Sequence, residues 1–255
     1  MCLMMTDAEP ARTTLVNIRL EGKLTGLELM IYRNSIASVK NELMIVPFPL
    51  NPEAYASVRL TQLEPFKCLV DVLNASVPRD RSAPRTLLVH QIGNYNITVA
   101  PDLESLRERV NWAKFSQPED FSRRMASLED KGLLPFACGF VIAEALGHGV
   151  ENDGFGLLYP TPANGDVFFP TAHEVPHQHY VHFDAKCFAI NCAPAPALFG
   201  SGILTGLEIT DVETTGAQTG EKSSFNLCIK PDQTFQYVKL QGMQQNTNII
   251  LGDKA

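Results

Sequence analysis

Four of the chain's six histidines crowd into one short segment, HEVPHQHYVHFD at 173–184. They are His173, His177, His179 and His182, and Asp184 closes the run. Neutral imidazole and carboxylate are the ligand types that zinc, iron and manganese take. His177, His179, His182 and Asp184 are therefore the candidate metal set, with Zn or Fe as the ion. No other cofactor is indicated, and no cofactor is the default. Density alone does not make a site, because geometry must bring the ligands together. If 177–184 is a regular strand, His177 and His179 share one face and His182 and Asp184 share the other. One ion could then take one pair only. The remaining ligands would have to come from His90, His148, His173, or carboxylates and thiols elsewhere.

Each pair resembles part of a metal motif. His177-x-His179 followed by Asp184 is similar to the first cupin motif, with Asp in place of Glu and with Thr171 where that motif has Gly. His182-x-Asp184 is similar to the start of the iron–oxoglutarate oxygenase triad. Both families require a later histidine, and none follows His182. The segment also resembles the HxHxDH run of metallo-β-lactamase-like hydrolases, with the Asp displaced. None of the three patterns is completed. The competing expectation is that these histidines hydrogen-bond locally on a half-exposed strand and a Pro-broken loop, titrating near neutral pH.

The other chemistry-bearing residues are weaker candidates. Cys138 lies between Ala137 and Gly139 in an apolar run, so a buried structural thiol is expected, as for Cys187, Cys192 and Cys228. Glu151-Asn152-Asp153-Gly154 offers oxygen ligands without EF-hand spacing, and a hairpin turn is the expectation there. No phosphate-binding loop, dinucleotide fingerprint or GxSxG occurs. Trp112 is expected to pack in a core.

The elements that must position these residues read mostly as strands. Val16, Ile18 and Leu20 alternate with Asn17, Arg19 and Glu21, and Leu27, Leu29 and Ile31 repeat the pattern. LMIVPF at 43–48 is a short apolar run that Pro47 and Pro49 should end or confine to an edge. Residues 58–73 are ambiguous, with Pro65 able to open a helical turn carrying Phe66, Leu69 and Val70. Thr86–Gln91 and Tyr95–Ala100 suggest a hairpin around Gly93-Asn94. Two helices follow. Asp102 can cap the first, at 102–112, and Pro118, Lys131 and Gly132 bracket the second, at 118–131. Strands resume with FACGFVIAEAL (136–146), a GHGVENDG loop (147–154), FGLLYP, VFFP (167–170) and YVHFDAKCFAINC (180–192). A linker-like APAPALFGSG (193–202) precedes four short strands. LTGLE occurs at 24–28 and 204–208, but the flanks differ, so it is read as chance rather than as a repeat.

Runs of one element type rather than alternation predict an α+β fold. The expectation is largely antiparallel, strand-rich sheets with two main helices in the middle of the chain. Residues 1–195 would form the main domain, and 196–255 a strand-rich C-terminal extension or small β subdomain.

The totals bound the function. The chain has 255 residues and a net charge of −7, with 45% apolar and 19% charged residues. That is ordinary for a packed domain. The acidic balance argues against nucleic acid and anionic membranes. Arg79, Arg81 and Arg85 form the one basic cluster, in a Pro- and Ser-containing stretch read as a loop. No apolar run approaches the roughly 20 residues of a membrane helix. The start, MCLMMTDAEPAR, lacks the makings of a secretory signal. A cytoplasmic setting with six reduced cysteines is therefore expected. The favoured reading is a soluble non-catalytic binding or assembly subunit, with a protein partner or a homo-oligomer. The alternative is a metal-dependent enzyme built on 173–184.

Overall fold

The computed structural model describes residues 3–4, 12–36, 42–77, 95–108, 137–145, 150–162, 165–171, 180–192, 200–245 and 249–251. The first strands are β1 (Leu3–Met4), β2 (Arg12–Arg19), β3 (Leu27–Ile36), β4 (Glu42–Pro49) and β5 (Arg59–Gln62). Helix α1 (Lys67–Ser76), β6 (Tyr95–Ala100) and α2 (Leu103–Glu108) follow. Then come β7 (Cys138–Ala145), β8 (Val150–Pro160), β9 (Val167–Phe169) and β10 (Tyr180–Ile190). The last are β11 (Gly200–Leu204), β12 (Leu207–Gly216), β13 (Lys222–Ile229), β14 (Gln233–Gln245) and β15 (Ile249–Leu251).

Nine strands form one sheet in the order β11-β14-β10-β2-β3-β8-β5-β12-β13. It is mixed, because β2 and β10 run parallel, Ala185 opposite Thr13 and Ile190 opposite Ile18. A four-stranded sheet, β1-β4-β7-β6, and the pair β15-β9 complete the fold. Strand dominance overturns the expected α+β arrangement with two main helices. Among the described residues only α1 exceeds two turns. The expected helix at 102–112 is described as the six residues of α2, capped as foreseen by Asp102, whose Oδ1 accepts from the Ser105 amide at 2.6 Å. The expected helix at 118–131 and the Thr86–Gln91 hairpin arm lie outside the described residues. Strands dominate because the runs buried on both faces, such as Leu15–Ile18 and Phe140–Ala143, are strands of the two sheets.

The two faces of the large sheet carry two cores. On one, Leu15, Met30, Tyr32, Leu157, Phe183 and Cys187 meet Met44, Val46, Phe48, Val141 and Ala143 of the small sheet. On the other, Val16, Ile18, Ile31 and Phe188 meet Phe66, Leu69, Val70 and Leu73 around α1. Thus β2 is buried on both faces, although its polar alternation predicts one wet face.

The large sheet must curl. Thr205 and Gly206 alone link β11 to β12, which stand seven strand spacings apart in the sheet order. A flat sheet would separate them by about 34 Å, whereas three Cα–Cα steps reach at most about 11 Å. The link Lys230–Asp232, from β13 to β14, imposes the same closure. Accordingly Leu204 and Phe235 from one end share a core with Val212, Leu227 and Ile229 from the other. Gly202 is required at this corner, since a Cβ there would fall on the Phe235 ring.

β4 runs through Pro47 and ends at Pro49, as these prolines lead one to expect. The two prolines pair with Phe140 and Cys138 of β7, while β1 covers only Met44 and Ile45 on the other side. Along its proline half β4 therefore has an edge among the described residues, as the missing donors require. Residues Val150–Gly154 are also strand, not loop: Asp153 stands opposite Asn34 and Gly154 opposite Arg33. A Cβ at Gly154 would fall on the Tyr32 carbonyl oxygen, so this close approach needs glycine.

Candidate functional site

Of the expected metal set, His177 and His179 lie outside the described residues, as does His173. His182 and Asp184 lie in β10, in register with Met243 and Gln241 of β14. Asp184 is half-buried. Among the described residues, no three His, Cys, Asp or Glu side chains gather into a metal-holding group. The Glu151–Gly154 candidate is absorbed into β8, its backbone committed to the ladder with β3.

The five described cysteines are free thiols. Cys138 and Cys187 are buried, as expected, and Cys192 is partly buried, but Cys228 is exposed on β13, as is Cys68 on α1. Burial pushes the Cys187 thiol up to about 12. Burial, with the nearby Glu28 carboxyl, does the same to Cys192. Neither has the lowered pKa that a nucleophile needs.

The structure assembles a polar cluster that sequence reading passes over. Arg19 and Glu28 are cross-strand partners in the β2–β3 ladder, and Glu28 and Tyr159 are partners in the β3–β8 ladder. All three point between the two sheets, because their parity matches Asn17, Met30 and Leu157. Glu28 is fully buried. Its Oε1 accepts from Tyr159 Oη at 2.7 Å, and its Oε2 lies 3.9 Å from Arg19 Nε. Burial raises the Glu28 carboxyl to about 7, outweighing the Tyr159 hydrogen bond and the Arg19 charge, which pull it down. Burial first, and then Glu28, drives the Tyr159 hydroxyl well above its ordinary range. The ring of Tyr159 packs on Phe48 of the small sheet at 5.3 Å between centroids.

A second polar bridge spans the sheets toward the other end of β3. Tyr95 Oη donates to Asn34 Oδ1 at 2.9 Å, and Asn34 Nδ2 reaches Met44 Sδ at 3.0 Å. Perturbed acids in a cleft often mark catalysis. Here Glu28 and Tyr159 are both sealed from solvent, and the cluster ties β2, β3 and β8 to one another within the large sheet. The sequence signal that could have found it is the pairing of charges at inward positions of two adjacent strands, Arg19 and Glu28.

No helix among the described residues is long and apolar enough to cross a membrane. No family model matches the chain, and no curated protein matches it. Among solved structures its fold is similar to that of baculovirus P35. One crystal structure of P35 aligns at a TM-score of 0.52 and 18% identity, covering 98% of this chain and 99% of that one. A mutated baculovirus P35 after caspase cleavage aligns at 0.51 and 14% identity, covering 94% and 99%. P35 in a complex with caspase-8 aligns at 0.49 and 15% identity, covering 95% and 96%. At these identities the likeness is one of fold.

Proposed function

We propose that this chain is a protein-binding module whose partner is a protease of the caspase class. The observation that carries the reading is the end-to-end likeness to P35, which spans 98% of this chain and 99% of that one. The neighbour that has been through caspase cleavage aligns over nearly its whole length too. The physical character of the fold supports the same role. A curled sheet cored on both faces is a stiff frame, and binding segments are disproportionately the connections that such frames hold in place. The acidic net charge fits a protein partner better than a polyanion.

The test mixes the purified chain with active caspases, one at a time, at equal concentration. Size-exclusion chromatography with intact-mass spectrometry reads out both complex and cut. The expected result is inhibition of at least one caspase, with co-elution or a single new pair of fragments whose masses locate the bond. The proposal is overturned if no caspase is inhibited, bound or able to cut the chain while P35, run alongside, responds.

A further inference from the structure

The segment Gly165–Thr171 lies over one end of the large sheet, and polar side chains hold it there. Among the described strands β9 pairs only with β15. Beside the packing of Val167 and Phe169 in the core between the sheets, two polar ties to the large sheet come from β2. Asn17 Nδ2 donates to the Phe168 carbonyl at 2.9 Å, and Arg19 Nη2 donates to the Gly165 carbonyl. Arg19 is therefore divided. One edge of its guanidinium holds the cover, and Nε faces the buried Glu28 carboxyl at 3.9 Å. Glu28 Oε2, Arg19 Nε and Asn17 Oδ1 are all buried without a hydrogen bond.

That division sets up a competition. A guanidinium bonds a carboxylate about twice as strongly as a neutral carbonyl. An ionised, buried Glu28 with a bare oxygen draws Arg19 toward it, at the expense of Gly165. A protonated Glu28 exerts no such pull and leaves Arg19 to the cover. The other titratable groups beside the carboxyl are Tyr159 from β8 and Cys192 after β10; Asp166, also buried, lies in the cover. β4 brings the apolar Phe48, and β9 brings Val167, Phe168 and Phe169.

We propose that Glu28 and Arg19 form a proton-operated clasp: protonated Glu28 leaves Gly165–Thr171 fastened to the large sheet, and ionised Glu28 loosens it. Burial places the transition near neutrality, at about 7. Since the folded-state value lies above the ordinary 4.5, the stabilisation is complete below pH 4.5 and is lost as pH rises through 7. The clasp is a property of the chain itself and needs no partner.

Amide hydrogen exchange over 165–171, corrected for intrinsic rates, tests it between pH 5.5 and 8. The expected result is protection that falls at least about tenfold, the factor one pKa unit carries, with Glu28→Gln flattening the dependence. Should Glu28→Gln fail to fold, the Glu28 side-chain carboxyl carbon is titrated by NMR in the unaltered chain. Its midpoint should lie near neutrality and coincide with shifts of the Gly165 and Phe168 amides. An unchanged pH dependence in Glu28→Gln overturns the clasp, as does a carboxyl midpoint below about 5, or cover amides that do not follow Glu28.

Discussion

Replacing Phe235 by Ala probes the closure of the large sheet. Phe235 is 1% exposed, with ring centroids 5.8 Å from Phe188 and 6.2 Å from Tyr237. Truncating a buried Phe costs about 3–5 kcal/mol, and two aromatic pairs at about 0.5–1.5 kcal/mol each place this site in the upper half of that range. Urea unfolding followed by far-ultraviolet circular dichroism should show a lowered midpoint at unchanged slope, the signature of lost stability rather than an altered denatured state. The informative step is the cycle with Ile229→Ala. In a flat sheet β14 and β13 would lie about 34 Å apart, and the two losses would add. In the curled sheet both residues line one core, so the cycle should leave a coupling of at least about 0.5 kcal/mol. Strict additivity, or a single-site loss under about 1.5 kcal/mol, a value too small for a sealed Phe, would refute the shared core.

Native alkylation at pH 8 should label Cys68 and Cys228 while sparing Cys187 and Cys192, whose thiols burial holds up to about 12; peptide mapping reads the order, and early labelling of Cys187 would contradict it. Asp102→Ala removes the 2.6 Å cap on the Ser105 amide and should cost about 1 kcal/mol in thermal or urea melts. Elemental analysis tests the histidine segment: if stoichiometric Zn or Fe is present, replacing both His177 and His179 by Ala, or both His182 and Asp184 by Ala, should abolish binding for one pair and spare it for the other, whereas equal loss from every single replacement would contradict strand parity through 177–184.

The strands were legible because period-two apolar spacing is a local property. β2 and β3 follow that spacing, β7 reads instead as the continuous apolar run of a strand covered on both faces, and Asp102 and the Phe66–Leu69–Val70 stripe announce their helical turns. What local pattern does not carry is the number of layers. Asn17, Arg19 and Glu28 read as the wet side of an ordinary two-faced sheet. Asn17 and Glu28 are dry, and Arg19 is mostly covered, because a second sheet and the β9 segment lie over them, and only long-range pairing decides that. Glu151–Gly154 read as a turn for the mirror-image reason: its Gly, Asn and Asp content matches loop chemistry, yet β3 supplies a ladder that overrides it. The same blindness hides the Glu28 cluster. Arg19 and Glu28 are close in sequence, but Tyr159 and Cys192 join them from distant stretches. A burial-raised carboxyl exists only once the layers close over it. Stability should therefore decline from mildly acidic to mildly alkaline pH, although the net charge of −7 taken alone says nothing about where that decline falls.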